Sequence, residues 1–296
     1  METVSVTNLN QRSDSNVSVT KQDTSSSNMQ RHSMYKVCQI ENDAKQLGGI
    51  RNLSISFKYI LIVFLFLNSM NSFSQAIQEK KILYFIPGQG ADERLYKNLE
   101  LDSSLYDVHY IKWEIPSKDD DMNSYAIQLS KQIDTSKKFY LIGASLGGMI
   151  ATEMNSFLKP EKVIIMSSAK CRTELPAQYK FQRAIPVYRI VPPIILKKST
   201  FIAQPLFEPD RNKEKETCNA MLENLDPIFL KRSIGMIINW KRKDYDPAII
   251  HIHGSNDHTI PIRNVNYTYL IKNGSHMMTL TRAKEIRDII LSEIEK

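Results

Sequence analysis

The chain has 296 residues, of which 42% are hydrophobic and 24% are charged, with only 3 cysteines and a formal net charge of +7. This length and apolar content allow one large domain or two small ones with a buried core. They exclude a collagen-like chain, a disulfide-stapled miniprotein and a wholly disordered protein. The basic excess is modest and is not gathered into a basic cluster interleaved with aromatic residues. We therefore expect no nucleic-acid partner.

The first 50 residues differ in composition from the rest of the chain. Residues 2–28 are dominated by Ser, Thr, Asn and Gln, with no aromatic residue and no apolar period. Such a segment cannot bury enough apolar surface to offset the entropy lost on ordering it. We predict a disordered tail over residues 1–50, and we interpret its length as a start codon assigned too far upstream.

Residues 51–76 carry the three parts of a secretory signal peptide. Arg51 and Lys58 form a positive flank, residues 59–67 are an unbroken apolar run, and small and polar residues follow. The run is shorter than the about 20 residues of a transmembrane helix, so cleavage is favoured over a permanent anchor. We expect an exported protein, periplasmic or secreted; the alternative is a protein associated with a membrane through residues 59–67.

From residue 81 the chain alternates short apolar runs with helical patterns. Strands are predicted at residues 82–86, 106–115, 139–142, 163–166, 248–253 and 267–271, and helices at residues 122–133 and 146–159 and at the C terminus. Strands separated by helices favour parallel pairing with right-handed crossovers. We therefore predict an α/β domain over residues 81–296, built on a doubly wound, mostly parallel sheet.

The alternation is interrupted by residues 171–243, which are rich in proline and contain no convincing buried strand. Asp226 and Pro227 predict the start of a helix, because Asp is a favoured N-cap and Pro a favoured first helical residue. The simplest interpretation is a helical cap inserted into the α/β domain. The apolar face of its last helix, which includes Phe229 and Ile237 and continues to Trp240, either contacts an apolar acyl group or packs the cap onto the core.

The most informative segment is a G-x-S-x-G motif, Gly143-Ala144-Ser145-Leu146-Gly147, between a predicted strand and a predicted helix. A nucleophile elbow needs this context, because a sharp strand-to-helix turn exposes the serine hydroxyl at the start of the helix. A glycine-rich turn with an idle serine is the alternative, and it is disfavoured by the flanking elements. We predict that Ser145 is a nucleophile.

A serine nucleophile needs a base to take its proton and a third group to orient that base. Asp257 lies in the turn after the strand at residues 248–253, which suits the orienting acid. His276 follows the last strand and precedes the final helix, which suits the base. The sequence therefore predicts a catalytic triad of Ser145, Asp257 and His276.

Three other histidines compete with His276. His251 and His253 alternate in one strand and share a face, so we expect them to be packed and hydrogen-bonded, while His258 lies on the same turn as Asp257. A metal site formed by these groups is an alternative, because imidazole and carboxylate are metal ligands. No further residue completes a tetrahedral set convincingly, so we expect no metal.

An oxyanion hole requires two preorganised donors. We predict the backbone N–H of Leu146, after the nucleophile, and that of Gln89, in the loop after the first strand. The glycines beside Gln89 let the backbone approach a substrate. As a dinucleotide-binding fingerprint, Gly88-x-Gly90 lacks its third glycine, since Glu93 stands there, so an oxidoreductase is disfavoured.

Residues 81–296 resemble the α/β-hydrolase fold superfamily, most closely its bacterial serine hydrolases with a helical cap. The resemblance rests on the GASLGG elbow, the HGSNDHTIP acid loop and the GSH before the last helix. Members of the superfamily often carry His-Gly in the oxyanion loop, where this chain has Pro87-Gly88. The resemblance implies hydrolysis at a carbonyl centre without a cofactor, in a pocket covered by the cap.

These observations predict a serine hydrolase that cleaves an ester-like bond of a small, partly apolar substrate through an acyl-enzyme on Ser145. An acyltransferase or a thioesterase would use the same triad. An exported binding protein without catalytic activity is the alternative from a different class. Pairing of Cys171 with Cys218 and the oligomeric state are left open by the sequence.

Overall fold

The computed structural model describes residues 79–296, together with residues 60 and 62; the side chains of residues 205–207 are not described. The predicted tail at residues 1–50 and the predicted signal segment at residues 51–76 therefore lie outside the described residues, apart from those two positions. Within the part of the chain that is described, no helix has the length and apolar character that a membrane crossing requires.

Residues 79–296 contain six β-strands, each near a predicted one. They are β1 Lys81–Ile86, β2 Tyr106–Tyr110, β3 Phe139–Ala144, β4 Lys162–Met166, β5 Ile250–Gly254 and β6 Tyr269–Ile271. They pair in parallel throughout, in the order β2-β1-β3-β4-β5-β6. The chain moves outward from β1 to one edge and then, from β3, to the other. The strand order thus reverses beside β1 and β3, which is where open α/β sheets place their ligand crevice.

The same part of the chain contains eight α-helices. They are α1 Met122–Ser130, α2 Leu146–Met154, α3 Ala177–Ala184, α4 Pro193–Phe207, α5 Lys215–Asn224, α6 Pro227–Ile238, α7 Met278–Thr281 and α8 Ala283–Glu295. Helices α1 and α2 share one buried apolar cluster with the sheet, while α8 and the 3-10 turn Glu93–Leu99 share another. Two clusters of this kind are the expected cores of a sheet covered on both faces, and the predicted doubly wound α/β architecture is confirmed.

Aspartate side chains cap the starts of α1 and α6, and the cap at Asp226 is the one predicted from the sequence. The Asp121 side chain accepts hydrogen bonds from the backbone N–H groups of Asn123 and Ser124, and the Ser124 hydroxyl accepts the Asp121 N–H. At α6 the Asp226 side chain accepts the N–H groups of two residues of the first turn. Each cap satisfies donors that a helix N-terminus leaves free.

Several elements are shorter than their sequence patterns predict. The helix predicted at residues 122–133 ends at Ser130, and the strand predicted at residues 267–271 begins at Tyr269. Two further differences are larger. The helix predicted at residues 146–159 ends at Met154, where the Ser156 hydroxyl donates to the Glu153 carbonyl and so competes with a further helical bond. The strand predicted at residues 106–115 ends at Tyr110. Beyond Tyr110, the Lys112 backbone N–H donates to the Gln132 side chain, and that side chain donates to the Lys112 carbonyl. These two bonds take the place of strand pairing with β1.

The insertion at residues 171–243 contains α3 to α6 and no strand, and it lies between β4 and β5. Its two ends meet, because the Arg172 N–H donates to the Arg242 carbonyl over 2.9 Å. The Arg242 guanidinium also donates twice to the buried carboxylate of Glu153 on α2, which in addition accepts the indole N–H of Trp240. The cap is thus tied to the helix that follows the elbow. Cys171 and Cys218 are both buried free thiols.

Candidate active site

Ser145 occupies a strained turn between β3 and α2. Its backbone angles are φ 51° and ψ −120°, which side-chain-bearing residues rarely adopt. The turn is tight because the helix approaches the strands closely. A Cβ atom on Gly147 would lie 2.1 Å from the Ile86 carbonyl oxygen, and one on Gly143 would lie 2.4 Å from the Gly147 carbonyl oxygen. The glycines of the motif are therefore required by packing, and they hold Ser145 at the carboxyl edge of the sheet.

The fold brings together the three side chains that the sequence predicts as a triad. Ser145 Oγ lies 3.0 Å from His276 Nε2, and His276 Nδ1 lies 2.8 Å from Asp257 Oδ2. The other oxygen of Asp257 accepts the backbone N–H groups of Thr259 and Ile260 over 2.9 and 2.8 Å. The loops after β5 and β6 therefore supply the predicted acid, Asp257, and the predicted base, His276.

The electrostatics of the pair suit a base that takes a proton from serine. Burial raises the pKa of Asp257, but the His276 charge and hydrogen bond outweigh it, and the net pKa lies below the ordinary value. Burial lowers the pKa of His276, but Asp257 and then Glu208 outweigh it, and the net pKa is raised. With an ionised Asp257, the neutral imidazole carries its proton on Nδ1, leaving Nε2 free to accept from Ser145.

Two further buried histidines, His253 and His251, lie next to Asp257 and to each other. His253 Nε2 lies 2.9 Å from the Ile260 carbonyl oxygen and 3.7 Å from Asp257 Oδ2, and its Nδ1 lies 3.1 Å from His251 Nε2. Burial lowers the pKa of both histidines. They are packed and hydrogen-bonded, as the alternation predicts. Within residues 79–296 no group of three or more His, Cys, Asp and Glu side chains is arranged to hold a metal ion.

The two predicted oxyanion donors belong to the loop after β1 and to the first residue of α2. Neither the Gln89 nor the Leu146 backbone N–H donates to a backbone acceptor among the described residues. The loop is held close to the nucleophile, since a Cβ atom on Gly88 would lie 3.3 Å from Ser145 Cβ. The Gln89 side chain donates to Ser233 Oγ on α6 over 2.6 Å, which ties this loop to the cap.

One acidic side chain of the site was missed by the sequence analysis. Glu208, in the cap, is buried, and its Oε2 accepts the Met277 backbone N–H over 2.8 Å, next to His276. Burial raises the pKa of Glu208 above its ordinary value. No local pattern marks Glu208, because the Met277 N–H that it accepts lies 69 residues further along the chain.

A cavity of about 790 Å³ opens at Ser145, His276 and Gln89. Much of its wall is apolar and comes from the cap, including Tyr179, Leu196, Met221, Leu222, Leu230, Ile234 and Ile237. Of the three apolar residues singled out in the sequence, Ile237 lines the cavity. Phe229 instead packs against Trp113 in a tilted arrangement, with ring centroids 5.2 Å apart, and the Trp240 indole N–H donates to Glu153. Packing onto the core therefore accounts for Phe229 and Trp240, while Ile237 is available to the cavity.

Comparison with solved structures places this architecture among known folds. A thermophilic esterase from Thermogutta terrifontis is 17% identical, covering 73% of this chain and 90% of that one, with a TM-score of 0.53. An enol-lactonase from Burkholderia xenovorans is 14% identical, covering 74% and 92%, with a TM-score of 0.58. A hydrolase from Pseudomonas aeruginosa is 14% identical, covering 74% and 91%, with a TM-score of 0.54.

No protein-family model and no curated protein matches the sequence. The likeness to these structures, at such low identity, is one of fold. With the parallel sheet and the inserted helices, it shows that the chain has the α/β-hydrolase fold, and the resemblance stated from the sequence motifs is confirmed at that level.

Proposed function

We propose that the protein is a serine hydrolase that cleaves an ester-like bond through an acyl-enzyme on Ser145. The observation that carries the proposal is the continuous hydrogen-bonded path from Ser145 Oγ through His276 to Asp257, with distances of 3.0 and 2.8 Å. The apolar cavity of about 790 Å³ at the nucleophile supports a small substrate with an apolar acyl part.

In the acylation step Ser145 Oγ attacks the substrate carbonyl carbon while His276 Nε2 takes the hydroxyl proton. Asp257 stabilises the imidazolium that forms and holds the ring in the orientation that this transfer needs. The carbonyl oxygen becomes an oxyanion, which the Leu146 and Gln89 N–H groups stabilise. His276 then gives its proton to the departing alcohol as the bond to the acyl carbon breaks.

Deacylation repeats the same steps with water as the nucleophile. His276 takes a proton from water, the hydroxide oxygen attacks the acyl carbon, and the proton returns to Ser145 Oγ as the acid leaves. Because the three side chains act as a unit, removal of Ser145 or His276 alone is expected to lower kcat by about four to six orders of magnitude.

Labelling by a fluorophosphonate probe tests this proposal. The wild-type protein should be labelled at Ser145 and should hydrolyse short p-nitrophenyl esters, whereas Ser145→Ala should do neither. Ser199→Ala is the matched control, because Ser199 lines the same cavity but lies on the cap. Absence of both labelling and turnover in the wild-type protein would instead support a binding protein without catalytic activity.

Matched substrates separate the remaining chemistries. Faster turnover of a thioester than of its oxygen ester would identify a thioesterase, and transfer of the acyl group to an added alcohol in preference to water would identify an acyltransferase. Hydrolysis of the oxygen ester to the free acid supports the proposal.

We also propose that the protein is exported, on the basis of the charge and hydropathy pattern of residues 51–76. N-terminal sequencing of the protein from its native host tests this. A first residue after the apolar run supports cleavage and export, whereas residues before Lys58 in the mature protein would contradict it.

A further inference from the structure

The cap carries an unusual density of exposed apolar side chains. Ile190 is 83% exposed, Ile202 is 78% exposed and Phe181 is 60% exposed. The other large apolar residues exposed in this part of the cap are Ile185, Val187, Ile194 and Ile195. Together these seven side chains, from residues 181–202, are called here the cap surface. Isolated exposed apolar residues need no explanation, but seven from one short segment call for a ligand or partner.

The charged residues in the segment that bears the cap surface are all basic. Residues 175–207 contain no Asp or Glu, and they contain five basic residues: Lys180, Arg183, Arg189, Lys197 and Lys198. None of the five forms an ion pair with a carboxylate within residues 79–296. The segment that bears the cap surface, residues 175–207, is therefore both rich in exposed apolar side chains and positively charged.

That combination is the one that favours an anionic lipid surface. Apolar side chains partition into the boundary between headgroups and acyl chains, while Lys and Arg attract anionic headgroups. Helix α4, Pro193–Phe207, is too short to span a bilayer and is of a length to lie along its surface. A second copy of the chain is disfavoured as the occupant, because it would oppose five positive charges with five more.

The N-terminal part of the chain does not offer the complementary charge either. Residues 1–74 contain seven basic and five acidic residues, so they also carry a positive net charge. The cap surface, by contrast, is continuous with the site already described, since Phe181 and Val187 also line the cavity at Ser145. A lipid surface bound there would face the mouth of that cavity.

We infer that the cap surface docks the protein onto anionic lipid bilayers. This docking is separate from any membrane association through residues 59–67, and it does not depend on turnover. The experiment must therefore report on the cap itself in the full chain.

An environment-sensitive fluorophore attached in place of Ile190 or Ile202 provides this report. Each variant, Ile190→Cys or Ile202→Cys, also carries Cys38→Ser, so that Cys38 cannot take up the fluorophore. The remaining cysteines, Cys171 and Cys218, are buried, and the new thiol is therefore the one that reacts. With phosphatidylglycerol–phosphatidylcholine vesicles, we expect a blue shift and quenching by nitroxide lipids. Ile127→Cys is the matched control, because Ile127 is an exposed apolar residue of α1, outside the cap; its label should show neither.

The charge contribution is tested by a pair of double variants. A basic residue near an anionic surface strengthens partitioning about fivefold, so Lys180→Gln with Lys198→Gln should weaken the vesicle response of the Ile190 label about 30-fold. The control, Lys131→Gln with Lys137→Gln, removes the same charge from the segment between α1 and β3, outside the cap. It should change the response little.

Three results would overturn the inference. The first is no shift with anionic vesicles while the protein is folded. The second is a shift without vesicles that grows with protein concentration, which identifies a second copy as the occupant. The third is a concentration-independent shift without vesicles that vesicles do not alter, which identifies the chain's own N-terminal segment.

Discussion

The backbone strain at Ser145 can be measured by comparing two variants that both lack the Ser145 hydroxyl. Ser145→Ala removes the hydroxyl but keeps a Cβ atom at φ 51° and ψ −120°, whereas Ser145→Gly removes the steric conflict as well. The hydrogen bond to His276 is lost in both, so it cancels from the comparison. The difference in free energy of unfolding therefore reports the backbone strain that the elbow stores.

The expected magnitude follows from two opposing effects. Sparsely populated backbone angles cost about 1–3 kcal/mol, and glycine relieves this cost. Glycine also has greater freedom in the unfolded chain, which costs about 0.5–1 kcal/mol relative to alanine. We expect Ser145→Gly to be more stable than Ser145→Ala by about 1 kcal/mol, which corresponds to a melting temperature about 3 °C higher for a domain of this size.

Urea denaturation followed by circular dichroism gives the two unfolding free energies, and calorimetry gives the melting temperatures. Ile127→Ala and Ile127→Gly form the matched control, because residue 127 is exposed within α1 at ordinary helical angles. There the glycine variant should be the less stable one, by about 1 kcal/mol. A Ser145→Gly protein that is less stable than Ser145→Ala, as at the control position, would refute the strain argument.

Two further predictions concern the buried carboxylates that join the cap to the core. Glu208→Gln removes a negative charge that raises the pKa of His276, so the acid limb of the kcat/KM profile should move to lower pH, because a neutral imidazole is the active form. The plateau should persist, since the amide oxygen can still accept the Met277 N–H; an unmoved acid limb would mean that Glu208 has no electrostatic role. Glu153→Gln leaves the Arg242 guanidinium without its anionic partner, and the urea unfolding free energy should fall by about 3 kcal/mol. A fall below about 0.5 kcal/mol would show that solvent replaces the pair.

Local chemistry made much of the fold predictable from the sequence. The four inner strands, β1, β3, β4 and β5, are predictable because a strand buried on both faces has an apolar run that is nearly continuous. The edge strands β2 and β6 are partly exposed, and β-type residues alone indicate them. Asp226-Pro227 predicts the start of α6, because the cap bond forms within one turn. The predicted ends of α2 and β2 were wrong. The end of α2 depends on a hydrogen bond from the Ser156 side chain, and the end of β2 depends on the Gln132 side chain.

The candidate site likewise contains residues that local motifs reveal and one residue that they do not. Ser145 is recognisable because the elbow is a local motif whose glycines are demanded by contacts of the turn itself. Asp257 and His276 are recognisable because each lies in a turn that follows a predicted strand. Their 2.8 Å contact, however, depends on the pairing of β5 with β6. Glu208 could not be assigned in this way, because its partner Met277 is 69 residues away along the chain.

Local patterns were sufficient to predict the strands, the helices α1, α2, α6 and α8, and the side chains that carry the proposed chemistry, since periodicity, capping and the elbow act over a few residues. The strand order, the closure of the cap by Arg242 and the contact of Glu208 with the loop that carries His276 became visible in the folded molecule alone. These features join residues far apart in the chain. Their geometry follows from how the apolar faces of whole elements pack together, and no local pattern encodes it.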